Sequence, residues 1–286
     1  MIEHKIFDHN FEYIEIRNKS AQAKVALQGA HLFSYKGVDN KPLLWLSETS
    51  FFRAGKAIRG GIPICWPWFG KHKTEPRLPQ HGFARTFLWE LLAVNEPNAY
   101  STEIILQLQN SDESLRLWPH RFSLQLRLTV AQELTLALTT KNCDEKAFEI
   151  SSALHSYFTV TDIANVSVEG LHNSPYLDTV TQENKTQRGN LSISREVDRI
   201  FQDVHNPLIL HDQERTIHIA ARGSSSVVIW NPWIEKCARM SDMKDDAYKK
   251  MLCIETANVL TDRQRLPPAA EHTLTAIISE GSEKVV

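Results

Sequence analysis

"FSLQLRLTV", Phe122 to Val130, sets Phe122, Leu124, Leu126, Leu128 and Val130 on one side of the chain and Ser123, Gln125, Arg127 and Thr129 on the other. Alternation with a period of two marks a strand with one face in a core. Similar runs occur at "FEYIEIR" (11–17), "AKVALQ" (23–28), "TFLWELLAV" (86–94), "TEIILQLQ" (102–109), "LTLALTT" (134–140), "FEISSALHSYFTV" (148–160), "TIHIAA" (216–221), "SVVIW" (226–230), "MLCIET" (251–256) and "HTLTAIIS" (272–279). Turn residues separate them, as in "GVDN", "NEPN" and "NSDES". No long segment has a 3.6-residue period; "SDMKDDAYKK" (241–250) has room for a turn or two of helix, and its charges read as a solvated loop. Many strands without crossover helices predict antiparallel sheets, hence an all-β sandwich or barrel.

With 286 residues, 42% of them hydrophobic, the chain has material for a sizeable core. No Ser/Gly linker, low-complexity tract or internal repeat divides it, so residues 1–286 read as one large β-sandwich domain. Its 32 Lys and Arg nearly balance 34 Asp and Glu, giving a formal charge of -2. That leaves no broad basic field for nucleic acid or an anionic membrane, so any anion site must be local. No run approaches the roughly 20 apolar residues of a membrane-spanning helix, and "MIEHKIFDHN" lacks a signal-peptide core, which makes the cytoplasm the expected compartment. Cys65, Cys143, Cys237 and Cys253 lie far apart without a CxxC pair, so they read as buried free thiols rather than zinc ligands or a redox dithiol.

Two long stretches, Gly55 to Thr86 and Gly170 to Asp198, read as loops, where a sandwich tends to carry its chemistry. In "AGKAIRGGIPICWPWFG" (54–70), Arg59 precedes Gly60 and Gly61, and the glycines would let amides or the arginine approach a ligand closely. The order GxxxxGK[ST] is absent, so this is no Walker A loop. Trp66, Trp68 and Phe69 suit a packed core as well as a binding platform. In "QHGFAR", Gly82 suggests a bend and Phe83 an anchor, leaving Gln80, His81 and Arg85 to point into one concavity. Any one of those residues alone would read as part of a solvated turn. Two arginines on two glycine-containing loops, however, make a bidentate pair fit for a phosphomonoester dianion.

His155 interrupts an apolar strand in "SSALHSYFTV" (151–160), and Glu255 ends one in "MLCIETANV" (251–259). A buried histidine is commonly just a hydrogen-bonded core residue, whereas a buried carboxylate must be paired, solvated in a pocket or functional. Meeting in one pocket, the two would form an acid and a base suited to reversible proton transfer. Asp198, in "EVDRIF" (196–201), has the simpler alternative of a salt bridge to a neighbouring arginine.

In order, "IRGGIPICWPWFG", "QHGFAR", "LHSYF", "EVDRIF", "NPW" (231–233) and "CIETANV" resemble the hexose-6-phosphate 1-epimerase branch of the aldose 1-epimerase (mutarotase) family, over about Arg59 to Val259. The resemblance implies a galactose-mutarotase-like β-supersandwich that interconverts the anomers of a hexose 6-phosphate, glucose 6-phosphate foremost, without cofactor or metal. It implies His155 as general acid and Glu255 as general base. It also implies Arg59, Gln80, Arg85 and Asp198 as substrate-binding residues, with the arginines at the phosphate and His81 in support. Glu255 would take the proton of the anomeric hydroxyl while His155 protonates the ring oxygen; rotation about C1–C2 in the open aldehyde and reclosure would then exchange the anomers. The acid role leads to the expectation that a nearby carboxylate holds the pKa of His155 near or above its usual value. The partner expected is a small phosphosugar, met by a monomer or weak dimer.

Two other readings stay open at this point. A glycoside hydrolase would use Glu255 with Asp198 as a carboxylate pair and leave His155 without a role. A non-catalytic phosphosugar-binding module would keep the arginines and an aromatic platform, with no need for a convergent acid and base.

Overall fold

In the computed structural model, which describes residues 1–7 and 10–281, Phe122–Val130 is a strand whose five apolar side chains are all buried. Leu126 lies opposite Leu106 on one side and Leu138 on the other, so leucines stack in rows across the ladder. The strand belongs to a nine-stranded sheet ordered Leu191–Ser192, Ser167–Glu169, Leu208–His211, Thr216–Arg222, Glu271–Gly281, Leu134–Asn142, Phe122–Val130, Ser101–Gln109 and Glu90–Asn98. An eight-stranded sheet is ordered Glu183–Thr186, Pro175–Asp178, Val197–Phe201, Ser226–Asn231, Met251–Asn258, Ser152–Leu154 and Ile64–Cys65, with Tyr157–Thr159 also paired to Met251–Asn258. The ladders of both sheets are antiparallel, as the alternating pattern requires. A smaller four-stranded sheet contains Ile2–Phe7, Phe11–Arg17, Gln22–Ala26 and His31–Lys36, and a two-stranded ladder joins Phe148–Ile150 to Gln264–Leu266.

Several boundaries differ from the sequence reading. Gly170 to Asp198 is not a loop: Pro175–Asp178 and Glu183–Thr186 form a hairpin, with Val197–Phe201 beside it. Every residue of Glu183–Thr186 is exposed, so this edge strand has no buried face to write alternation into the sequence. The run 148–160 divides into three short strands because its pairing passes from Gln264–Leu266 to Met251–Asn258. The strand expected over 86–94 begins at Glu90 and continues to Asn98. Residues 241–250 hold only a short 3-10 turn, Ala247–Lys250, and are otherwise loop. Of "MIEHKIFDHN", Asp8 and His9 lie outside the described residues.

Gly60 and Gly61 serve the chain itself rather than a ligand. A Cβ on Gly60 would lie 2.5 Å from the Trp45 carbonyl oxygen, and the Gly61 amide donates to that oxygen at 2.7 Å. Trp66 is fully buried, with its indole N–H donating to Thr140 at 3.0 Å, so it is a core residue. Gly82 is the tightest point of the segment that carries Gln80, His81 and Arg85. Its φ is +72° and a Cβ there would meet the Trp66 carbonyl oxygen at 1.9 Å. Gly82→Ala is therefore expected to cost about 3 kcal/mol or more, read by urea unfolding, because backbone strain adds to a clash that no side chain can relieve.

Candidate active site

The strands flanking His155 pair with Met251–Asn258 in one register: Leu154 faces Thr256, and Tyr157 faces Cys253. Carried across the gap, that register sets His155 opposite Glu255, and its Nε2 lies 3.2 Å from Oε1 of the carboxyl group. Glu255 in turn faces Val228, which faces Ile200. The neighbouring row runs Asp198, Trp230, Cys253 and Tyr157. Directly paired residues share a face, as do residues two apart, so one face of the sheet presents both rows. Val227, Ile229, Ile254 and Phe201, out of phase by one, join the main hydrophobic core.

Above that face lies a cavity of about 510 Å³, lined by all seven residues singled out in the sequence: Arg59, Gln80, His81, Arg85, His155, Asp198 and Glu255. This is room for a sugar phosphate. Phe69 also lines it, packed edge-on against the His81 ring, while Trp66 stays beneath in the core. Arg59 donates from Nε to Asp242 at 3.0 Å, with Nη2 also 3.0 Å from that carboxylate, and from Nη1 to the Tyr157 hydroxyl at 2.9 Å, so that two of its five N–H groups stay uncommitted. Arg85 donates from Nη2 to the Gln80 carbonyl at 2.7 Å. The Gly70 amide donates to Nδ1 of His81 at 3.2 Å, which fixes the neutral ring's proton on Nε2. Asp198 finds a lysine rather than an arginine: Lys236 stands 3.5 Å from it and 2.9 Å from Glu196. Neighbouring Arg199 pairs with Asp178 instead.

Five residues in or behind the cavity escaped the sequence reading. Lys236, on the helix Trp233–Ala238, and Arg263 add cations to the wall, and Trp230 adds an aromatic surface. Tyr157 stacks flat on His155, with centroids 4.7 Å apart and planes at 9°, and Asp242 anchors Arg59. The signal for Tyr157 was its position two residues from His155, on the same strand face. Asp242 and Lys236 gave none, because their partners are about 180 and 40 residues away in sequence. The motif "NPW" is structural: the buried Asn231 carboxamide donates to the carbonyls of Tyr248 and Met251 at 2.9 Å each and accepts from the Trp233 amide at 2.9 Å.

Burial dominates the electrostatics. His155 is pushed well below the ordinary histidine range, first by desolvation and then by His81, Arg59 and Arg85. The expectation that a carboxylate would hold it near or above its usual value is overturned, because Glu255 is itself pushed well above the carboxylate range by burial and by Asp198. Desolvation disfavours the charged form of each group, so burial moves the two in opposite directions. Glu255 Oε2 and His155 Nδ1 are buried without a hydrogen-bond partner. His81 is pushed down to about 3, by burial and then by Arg85 and Arg59, so it stays neutral. Among the described residues, no group of three His, Cys, Asp or Glu is arranged to hold a metal ion.

The family model for aldose 1-epimerase matches residues 12–279. The chain belongs to the aldose 1-epimerase family. It is therefore an isomerase of sugar anomers. A Salmonella typhimurium relative, provisionally named a glucose-6-phosphate 1-epimerase, is 38% identical over 89% of this chain and 86% of its own. An Escherichia coli relative with the same provisional name is 37% identical over 86% and 83%. A crystal structure provisionally titled a mutarotase, also from Salmonella typhimurium, superposes with a TM-score of 0.92 at 35% identity, covering 99% of this chain and 94% of that one. A galactose mutarotase-like protein of Lactobacillus casei, at 18% identity and a TM-score of 0.74, shares the fold. Within this aldose 1-epimerase fold, the His155–Glu255 pair stands on the sheet while Arg59 and Arg85 stand on segments beside it.

Glu255 has a folded pKa above its unfolded value, so its contribution to stability is complete below the unfolded pKa and is lost as pH rises through the folded one. Glu255→Gln is expected to unfold at higher urea than the parent at pH 8. Between the two pKa values the gain should grow by up to about 1.4 kcal/mol per pH unit, and it should vanish near pH 4.

Proposed function

We propose that the protein interconverts the α and β anomers of a hexose 6-phosphate, glucose 6-phosphate in the first instance, with His155 and Glu255 as acid and base. The observation that carries this reading is the 3.2 Å contact between imidazole Nε2 and carboxyl Oε1 at the cavity floor. An anomeric carbon bears both its hydroxyl and the ring oxygen, so the two groups serving them must be close neighbours. A phosphorylated substrate is supported by the relatives' names and by the uncommitted donors of Arg59 and Arg85. Gln80, His81 and Asp198 then offer donors and an acceptor to sugar hydroxyls.

Ring opening begins with Glu255 ionised and His155 protonated. The carboxylate takes the proton of the anomeric hydroxyl, the imidazolium gives its proton to the ring oxygen, and the C1–O5 bond breaks to an aldehyde. Both groups end neutral, and one proton remains on the pair. Rotation about C1–C2 turns the other carbonyl face to O5, and closure returns both protons. A hydrolase reading is not favoured: Glu255 pairs with His155, and Asp198 with Lys236. The protein is taken to act as a single domain over 1–286, as a monomer or weak dimer. The four cysteines are free thiols, which fits the reducing cytoplasm; Cys65, Cys237 and Cys253 are buried as read, whereas Cys143 is exposed.

The test is anomer exchange of glucose 6-phosphate by NMR. Glu255→Gln and His155→Asn should each lose about 10²–10⁴-fold, the usual worth of a general acid or base; a wild type no faster than spontaneous exchange would remove the reading. Activity requires one proton on the pair. The kcat/KM profile should therefore stay flat to pH values below the ordinary histidine range on its acid side, and extend above the ordinary carboxylate range on its basic side. Arg59→Ala and Arg85→Ala should each cut the preference for glucose 6-phosphate over glucose by about tenfold or more, and an unchanged ratio in both would dismiss the phosphate role.

A further inference from the structure

Resting on the phosphosugar reading above, we propose that Tyr157 is a positioning residue that couples an anion held at Arg59 to the imidazole of His155, so that the substrate's own phosphate readies the acid that opens its ring. Arg59 Nη1 donates to the Tyr157 hydroxyl at 2.9 Å, and the phenol ring lies flat on the imidazole at 4.7 Å and 9°. On its other face Tyr157 stacks against Trp45 at 5.8 Å, while Trp230 stands edge-on to both Tyr157 and His155. Tyr157 is 1% exposed, so the path from guanidinium to imidazole is one aromatic ring with no water in it. Charges separated by such a medium act on each other far more strongly than across solvent.

The groups facing His155 are Glu255 across the ladder, Cys253 and Tyr157 in the adjoining row, His81 from the Gly82 segment, and the two guanidiniums. Both arginines weaken proton binding at His155, and Arg59 reaches the imidazole through the stacked Tyr157 ring. An anion that offsets Arg59 therefore favours protonation of His155, which is the state ring opening needs. Phosphate recognition would then raise kcat as well as lower KM.

The experiment divides the substrate in two, following glucose anomer exchange with and without phosphite dianion. One unit of pKa is a factor of ten, so saturating phosphite should accelerate wild-type glucose turnover by about tenfold or more. Tyr157→Phe, which keeps the stacked ring and removes the hydroxyl, should reduce that activation to below about threefold. With glucose 6-phosphate it should lower kcat more than it changes KM. On ¹⁵N-histidine-labelled wild type, phosphite should move the His155 nitrogen signals toward imidazolium, a readout that stands even if the variant folds poorly. Phosphite that inhibits or does nothing, activation that survives intact in Tyr157→Phe, or unmoved His155 signals would overturn the coupling. Failure of wild type to exchange glucose 6-phosphate itself would instead remove the functional reading beneath it.

Discussion

One contact, the 3.2 Å approach of the His155 imidazole to the Glu255 carboxyl group, sets the terms for everything around it. Water is nearly excluded there, with Glu255 1% and His155 7% exposed, so each group is costly to hold as an ion and cheap to hold neutral. Burial lowers the proton affinity of the imidazole and raises that of the carboxyl group, which brings the two closer together, as the proposed proton exchange with a cyclic sugar requires. Its geometry comes from a sheet register fixed on both sides of His155, Leu154 to Thr256 and Tyr157 to Cys253, rather than from a loop. Leu154, Tyr157 and Cys253 pack in the core, so the proposed acid and base inherit the rigidity of the sandwich.

The sandwich was legible where strands bury one face. Phe122–Val130 announces itself because its five apolar residues alternate with residues that reach the surface. Glu183–Thr186, exposed at every position, and the short pieces within 148–160 are invisible to that test, since partner changes and edge positions leave no period. At the site, His155 and Glu255 stood out as polar residues in apolar runs, and register explains why they meet. Asp242 and Lys236 carry no such contrast; each lies in a charged, exposed-looking stretch, and only the fold reveals that one anchors Arg59 and the other meets Asp198. The protonation of the pair also lay beyond the sequence. Reference pKa values describe solvated groups, and burial of both partners at once pushes the imidazole down and the carboxyl group up.

The division between floor and wall bears on how such a protein diversifies. Glu255 belongs to the sheet ladder and His155 to the two-residue break between strands paired with it, whereas Arg59, Gln80, Arg85 and Asp242 come from connecting segments tethered to one another by a few hydrogen bonds. Connections tolerate insertion and replacement that ladders do not. A lineage can therefore exchange the arginine-bearing rim, the proposed anion site, for one suited to a neutral or differently charged sugar while the sheet floor with its proposed acid and base is inherited unchanged. Substrate choice and reaction chemistry are then separate targets for selection, and for anyone redesigning this scaffold.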